Sequence, residues 1–359
     1  MMTPGQPFEI PDFLSQAIEA RLKELGASLN DSQFLATQIK KLSDFYIANP
    51  KAETPDWAEI PSLVYYFPLN YLRNLKIFQE ANRLGFLHEL DTAIEFGAGL
   101  GPSSWALKSV EALKNTEKKF DNYFWIEKLT KAQVYAQLFE KNFQEKLSFH
   151  ANVDENILNK LNIKKTLAVF SYSLTELSHL PDWAEKLEAL IILEPSTQED
   201  GRRLQELRTQ LIQKGFSIWG PCVHEQACPL LTHSKKDWCH DRLLLRRPLW
   251  LEKIENHLAW ENKSLTLSYL IARKTAPPWK GQKLQNKARV IGDTLYEKGK
   301  TRQLICKDQD RLFFSWLQKS SIAPHLARGS LVSWTDHELK SNEVRPRGEM
   351  KYIQTPEEN

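Results

Sequence analysis

The chain has 359 residues, more than one compact domain usually holds, so its length predicts two or three folding units. Its composition, 42% hydrophobic and 26% charged, is typical of a globular protein and excludes a disordered, collagenous or coiled-coil chain. The net charge of +3 is uneven, because residues 1–200 carry 20 Lys/Arg and 28 Asp/Glu (net −8), whereas residues 201–359 carry 28 and 17 (net +11).

This charge asymmetry predicts a cationic surface that meets a polyanion, most simply nucleic acid. A solvated basic face without a partner is the alternative. No apolar run approaches the roughly 18 to 20 residues that cross a bilayer, and the longest, Ala189–Leu193, has the length of a buried strand. The first residues, MMTPGQPFEIPDF, show neither an export nor an import signal. We therefore expect a cytoplasmic protein without a membrane span, and we expect it to be a monomer.

The first 90 residues predict helices. Residues 11–24 are amphipathic, and Asp31 or Ser32 can cap a second helix that ends near residue 48. Ser62 can cap a third helix that ends near residue 84. The region 1–90 is therefore predicted to be a helical N-terminal region.

From residue 91 to residue 276 the pattern changes to alternating strands and helices. Strands are predicted at Thr92–Phe96, Tyr123–Ile126, Leu167–Phe170 and Leu190–Leu193, and helices at 103–114, 129–142 and 200–214. Such alternation is typical of a doubly wound α/β fold with a mostly parallel, Rossmann-like sheet. Leu265–Ile271 is predicted to add a late antiparallel strand.

The first of these strands leads into a glycine-rich loop. Glu95 ends the strand, and Gly97, Gly99 and Gly101 follow at alternate positions before a helix. Glycines at this spacing allow a tight turn and close approach of the backbone to a ligand at the carboxyl edge of the sheet. The dinucleotide signature places its third glycine one residue later, so this loop instead resembles the first motif of class I S-adenosylmethionine-dependent methyltransferases.

The next two strands bear on the same pocket. Strand YFWIEK ends in Glu127, where the methyltransferase fold expects a carboxylate that binds the cofactor's ribose hydroxyls. The fourth strand ends in Phe170-Ser-Tyr-Ser-Leu-Thr-Glu176, which lacks the Asn/Asp-Pro-Pro-aromatic stretch of amino-directed enzymes. Tyr172 and Glu176 could line the pocket or serve in the core and in capping. The catalytic residues therefore stay unknown.

The four cysteines of the chain are Cys222, Cys228, Cys239 and Cys306. Three of them fall within a predicted insertion at 220–250, and none precedes residue 222. In a reducing compartment such a set indicates a metal or iron–sulfur site rather than disulfides. The spacing matches neither zinc ribbons nor bacterial ferredoxins, and His224, His233 and His240 leave a Cys3His zinc site open. Pro221-Cys222 also resembles the nucleophile of 5-methylcytosine enzymes, a role that metal ligation would exclude.

Beyond Pro277-Pro278, residues 279–345 predict a small, barrel-like β domain, followed by a tail at 346–359. Its short runs are Ala288–Ile291, Arg302–Ile305, Arg311–Phe314 and Ser330–Trp334. Cations in this half could contact RNA phosphates. They are Arg242, Arg246, Arg247, Lys283, Lys287, Arg289, Lys298, Lys300 and Arg302.

Several of these stretches together resemble one family, the methyltransferase-like assembly factors of the mitochondrial small ribosomal subunit and their bacterial relatives. The stretches are Glu95–Gly101, Phe170–Leu177, Leu193-Glu-Pro-Ser-Thr197, Gly220-Pro-Cys-Val-His-Glu225, Cys228-Pro-Leu230 and Asp237-Trp-Cys-His240. The resemblance covers about residues 60–335, and the Pro-Cys, Cys-Pro and Trp-Cys triplet is its most specific part.

This resemblance implies a methyltransferase fold that binds S-adenosylmethionine, an inserted [4Fe-4S] site, and association with small-subunit rRNA during assembly. By position, Cys222, Cys228 and Cys239 match the family's clustered ligands, and Cys306 matches the ligand from the C-terminal β region. Glu95, the three glycines of the loop, Glu127 and Tyr172 are the implied cofactor contacts. An active rRNA methyltransferase is one alternative, and a zinc-stabilised protein-interaction module is another.

Overall fold

The computed structural model describes residues 6–49, 52–113, 120–177, 179–278, 280, 286–319, 324 and 326–352. Within them the helices are α1 Asp12–Glu24, α2 Ser32–Ala48, α3 Glu59–Pro61, α4 Phe67–Arg83, α5 Pro102–Glu111, α6 Gln133–Phe143, α7 Glu155–Lys160, α8 Asp182–Lys186, α9 Gln198–Gln213, α10 Pro229–His233 and α11 Leu249–Glu255. The strands are β1 Phe8–Glu9, β2 Thr92–Phe96, β3 Asn122–Ile126, β4 Leu147–His150, β5 Thr166–Ser171, β6 Ala189–Glu194, β7 Ser217–Gly220, β8 Asp241–Arg246, β9 Ser264–Arg273, β10 Lys287–Glu297, β11 Lys300–Lys307, β12 Asp310–Leu317, β13 Leu331–Lys340 and β14 Glu343–Tyr352.

The N-terminal helices pack through apolar stripes at helical spacing. Helix α1 buries Leu14, Ile18 and Leu22, which lie on one face because they are three to four residues apart. The third predicted helix does not begin at Ser62. The helical path instead starts at α3, passes through one π-helical turn at Ser62–Tyr66 and continues into α4.

The central sheet confirms the predicted α/β fold. Strands β4, β3, β2, β5 and β6 lie side by side and parallel, and β9 pairs antiparallel with β6. The far edge of β9 pairs with both β7 and β8, and β8 also holds β1. This order, with its one reversed strand between β6 and β7, is that of the class I methyltransferase fold. Sequence analysis missed β1, β4, β7 and β8.

Alternate residues of the strands face two different cores, as a doubly wound sheet requires. Ala93, Val169 and Ile191 belong to the core under the N-terminal helices. Ile94, Ala168 and other residues of the opposite face pack under α8 and α9. The loops at the carboxyl ends of β2, β3 and β5 therefore meet at one edge between these layers.

The C-terminal region is a closed five-stranded barrel in the order β10-β11-β12-β14-β13, antiparallel except where β12 runs parallel to β14. Val290, Ile305, Phe314 and Val344 fill its core. The barrel extends past the predicted limit of residue 345, because β14 continues to Tyr352 and so takes in part of the predicted tail. Within the described residues, no helix is both long and apolar enough to cross a membrane.

Candidate functional site

The glycine loop is shaped by close packing around its backbone. Gly97, Gly99 and Gly101 all have positive φ, at 65°, 53° and 76°. A Cβ on Gly101 would lie 2.0 Å from the ring of Trp125, and one on Gly97 would lie 2.5 Å from the Cβ of Ser173. The loop is thus held between β3 and the segment after β5, where only glycine fits at two of its positions.

Glu95 anchors the helix that follows the loop. Its carboxylate is 3% exposed and accepts the backbone N–H groups of Ser103 at 3.1 Å and Ser104 at 2.9 Å, together with the Ser104 hydroxyl. These are unsatisfied donors at the N-terminus of α5, where a carboxylate is stabilising. Burial nevertheless raises the pKa of Glu95. Since both oxygens are engaged by the start of α5, Glu95 fixes the shape of the loop, and its contact with a cofactor stays a prediction.

Glu127 lies against the same loop. One carboxylate oxygen accepts the N–H of Gly99 at 2.9 Å, and the other accepts the N–H of Leu129 at the same distance. The carboxylate is therefore held at the loop's middle glycine. Glu127 therefore lies beside the turn, and its contact with ribose hydroxyls stays a prediction.

Tyr172 follows β5 with a positive φ of 61°, which is uncommon for a residue with a side chain. Its N–H donates to the carbonyl of Leu193, and its ring centroid lies 5.9 Å from the guanidinium of Arg73. Burial raises the pKa of the phenol. Unusual backbone conformations of this kind concentrate at functional sites.

Sequence analysis missed four buried polar atoms at this edge of the sheet. They have no hydrogen-bond partner in the described part of the chain, and they are Asn74 Oδ1, Ser103 Oγ, Ser173 Oγ and Glu194 Oε2. Burial also raises the pKa of Glu194 to about 8, although the residue accepts the N–H of Leu174. The position of Glu194 at the end of β6 and of Ser173 two residues after β5, at the carboxyl ends of parallel strands, was the available signal. Unpaired buried polar atoms are costly, so they indicate a site for a polar ligand or water.

All four cysteines line a single cavity. Three of them, Cys222, Cys228 and Cys239, belong to the inserted segment between β7 and β8. The fourth, Cys306, belongs to β11 of the barrel. All four are free thiols. The barrel packs on the insertion, and this contact brings Cys306 to the other three cysteines, although Cys306 lies 67 positions after Cys239 in the sequence. Ile291 and Leu304 of the barrel join this contact against Cys228 and Leu230.

The cavity disfavours the negatively charged thiolate form of its cysteines, so a positive charge is needed nearby to stabilise thiolates. Burial raises the pKa of the Cys228, Cys239 and Cys306 thiols, and the neighbouring cysteine sulfurs raise each further. The guanidinium of Arg208, 1% exposed, lies close enough to Cys222, Cys228 and Cys306 to interact electrostatically with them. It also donates to the carbonyl of Gln226 at 3.0 Å. A buried cation thus lies beside the thiols of these three cysteines.

Of the three candidate histidines, only His224 lines the cavity. Its Nε2 is 3.8 Å from Cys306 Sγ, and burial lowers its pKa to about 4, so the ring is neutral. His240 instead stacks on Trp238, with ring centroids 5.4 Å apart. Among the described residues, no three His, Cys, Asp or Glu side chains are grouped as ligands of one metal ion.

The predicted RNA-contacting cations fall into different settings. Lys283 lies outside the described residues. Lys298 is exposed, and Lys287 is half-buried. The others that reach the surface form ion pairs within the chain: Arg242 with Asp293, Arg246 with Glu9, Arg247 with Glu255, and both Lys300 and Arg302 with Glu297.

Arg289, which the sequence predicts to contact RNA, is buried in the structure. The residue is 3% exposed, and its guanidinium donates to Glu80 at 2.7 Å, to Asp241 at 2.8 Å and to the Tyr269 hydroxyl. A buried cation with these partners cannot reach a phosphate. It instead joins β10 of the barrel to α4, β8 and β9, so it fixes the barrel on the central domain.

Fold and loop together define a methyltransferase-like protein of the class I type. The chain matches the family model described as "Mitochondrial small ribosomal subunit Rsm22" over residues 86–337, and it belongs to that family. A search of curated proteins finds no significant match. The family's description names mitochondria, so the expectation of a cytoplasmic protein stays a prediction.

Several solved methyltransferases are similar in fold. The plantazolicin methyltransferase BamL is 10% identical, with 68% of this chain and 98% of that chain covered and a TM-score of 0.38. An rRNA methylase from Escherichia coli is 11% identical, with 53% and 72% covered and a TM-score of 0.30. TrmK of M. capricolum, in complex with S-adenosylhomocysteine, is 10% identical, with 58% and 73% covered and a TM-score of 0.30.

Proposed function

We propose that this chain is an assembly factor of the small ribosomal subunit that binds rRNA on a methyltransferase-like scaffold. The observation that carries the proposal is membership, over residues 86–337, of a family described by the small ribosomal subunit. The net charge of +11 in residues 201–359 supports an RNA partner. Among the predicted contacts, exposed Lys298 and half-buried Lys287 support this partner.

The cysteine cavity fits a [4Fe-4S] cluster held by Cys222, Cys228, Cys239 and Cys306. Four thiols and no carboxylate form the donor set, which is the ligand set of such clusters. Arg208 would offset part of the negative charge of four thiolates. His224 also lines the cavity, so a Cys3His zinc site is the alternative, and metal and sulfide analysis distinguishes the two.

The glycine loop fits S-adenosylmethionine. Glu127 stands at the loop's middle glycine, where it can accept hydrogen bonds from ribose hydroxyls, and Tyr172 lies at the end of β5 on the same sheet edge. When bound, the cofactor would supply an electrophilic methyl group. The chain's own part is to fix the shape of the loop by packing it between Trp125 and Ser173 and to position Glu127.

Binding to rRNA is tested by a salt titration. The full chain, purified anaerobically, is titrated into small-subunit rRNA at increasing salt concentrations. If phosphate contacts dominate, log K should fall linearly with log salt, with a slope near −0.9 for each phosphate neutralised on a duplex. A salt-independent Kd, or no binding at low salt, would refute the RNA role.

An active rRNA methyltransferase is the second candidate. The unpaired polar atoms of Asn74, Ser173 and Glu194 beside the glycine loop favour it, because they provide a polar pocket next to the methyl donor. Transfer of labelled methyl groups from S-adenosylmethionine to small-subunit rRNA decides between the two functions. An assembly factor without turnover leaves the RNA unlabelled.

A further inference from the structure

The barrel contacts the insertion in one place and carries two exposed hairpin tips. At the insertion, Cys306 lines the cysteine cavity and Arg311 forms an ion pair with Asp237. The tips are residues 298–299 between β10 and β11 and residues 341–342 between β13 and β14. Lys300 joins the tips by a hydrogen bond to Glu343. The two tips therefore form one surface.

That surface combines exposed apolar side chains with cations. Tyr296 is 82% exposed, Leu339 is 62% exposed and Leu295 is 44% exposed, and these are the large apolar residues that the described barrel leaves in solvent. Lys298 and Lys340 lie beside them and are exposed. The ring of Tyr296 is mostly exposed to solvent, so this side chain is available to a ligand.

The barrel topology indicates which ligand. Five strands in the order first, second, third, fifth, fourth, with the third and fifth parallel, form the OB-type barrel. Barrels of this type bind oligonucleotides beside the loops between strands one and two and between strands four and five. Those loops are the two tips here. Proteins that bind single-stranded nucleic acid combine cations with aromatic rings on which bases stack.

Resting on the RNA-binding function proposed above, we infer that the two hairpin tips bind a single-stranded segment of RNA, with a base stacked on Tyr296 and phosphates near Lys298 and Lys340. A duplex would not fit this role, because its bases are already stacked and its faces are closed to an aromatic side chain.

The test uses the full chain and a labelled 12-nucleotide single-stranded RNA, with the same strand annealed to its complement as the comparison. Tyr296→Ala should weaken single-strand binding about 5-fold or more, since one stacked base is worth at least roughly that factor, and should leave duplex binding unchanged. Tyr296→Phe, which keeps the ring, should bind as the original chain does. Ile47→Ala removes another exposed apolar side chain, 75% exposed on α2, and should have no effect.

Equal binding by Tyr296→Ala and the original chain would overturn the inference while leaving the proposed function intact. An equal loss on single strand and duplex would overturn it too, because stacking would then not be the cause. If only binding to ribosomal protein is lost, the surface has a protein partner and the inference is wrong. A chain that binds no RNA at any salt concentration refutes the proposed function and this inference together.

Discussion

Substitution of Arg289 by methionine tests how the barrel is held on the central domain. The guanidinium is buried with Glu80, Asp241 and Tyr269, and Lys76 lies 3.3 Å from Asp241. Removing one partner of a buried ion pair costs about 3–5 kcal/mol, because the remaining charge is left without compensation. Here two carboxylates, Glu80 and Asp241, lose this partner, and Lys76 is the cation that stays beside Asp241. For a domain of this size that cost lowers the melting temperature by roughly 6 to 20 °C.

The assay is thermal unfolding followed by tryptophan fluorescence, since Trp316 and Trp334 belong to the barrel core. The matched control is Arg246→Met, the same substitution at an exposed ion pair with Glu9. Exposed pairs contribute about 0–1 kcal/mol, so the control should unfold near the original temperature.

The stability of the Arg289→Met variant should also depend on pH. Burial raises the pKa of Glu80, but Arg289 outweighs it, so in the original chain this pKa lies below its ordinary value. Such a group stabilises the fold above its unfolded pKa and loses that effect as pH falls through the folded pKa. Without Arg289, only Lys76 and Arg83 still oppose the effect of burial, so the pKa of Glu80 is higher in the variant than in the original chain. On acidification Glu80 therefore takes up a proton in the folded variant before it does so in the original chain, and the stability deficit of the variant should shrink between pH 8 and pH 5. A deficit below 1 kcal/mol, or one that grows on acidification, would refute this reasoning.

Two further predictions concern the glycine loop. Gly101→Ala combines a positive φ with a clash against Trp125 and should cost about 2–5 kcal/mol, whereas Gly85→Ala, with φ 72° and open space, should cost only about 1–2 kcal/mol; urea denaturation compares them, and equal costs would contradict the packing argument. Glu127→Gln removes the charge and keeps an acceptor for only one of the N–H groups of Gly99 and Leu129, so calorimetry should show S-adenosylmethionine binding roughly 10-fold weaker or more, and melting should fall by the effect of one lost hydrogen bond; unaltered affinity would show that Glu127 does not hold the ribose.

Part of this fold could be predicted from local sequence. Thr92–Phe96 was predicted to the residue, because an apolar run ends at an acidic residue and glycines follow. Strand β8 could not be predicted. Its sequence, DRLLLR, begins with an aspartate that is 3% exposed in the fold, and its charge is compensated by Arg289, 48 residues further along, and by Lys76 of α4.

In the candidate site, too, some features can be predicted from local sequence and others depend on distant residues. The residues of the glycine loop and the four cysteines were visible as motifs, whereas the cavity that gathers the cysteines depends on how the barrel docks. The sequence predicts a surface cation at Arg289, because composition cannot show that Glu80 of α4 lies opposite it. The sequence shows where the cationic residues occur. Only the packing of the folded chain decides whether each of them faces RNA or another side chain.

The most direct test of the account is iron and acid-labile sulfide analysis of the anaerobically purified chain. The account predicts brown protein with about four irons and four sulfides per chain, held by Cys222, Cys228, Cys239 and Cys306. Colourless protein that contains zinc and no sulfide would contradict it.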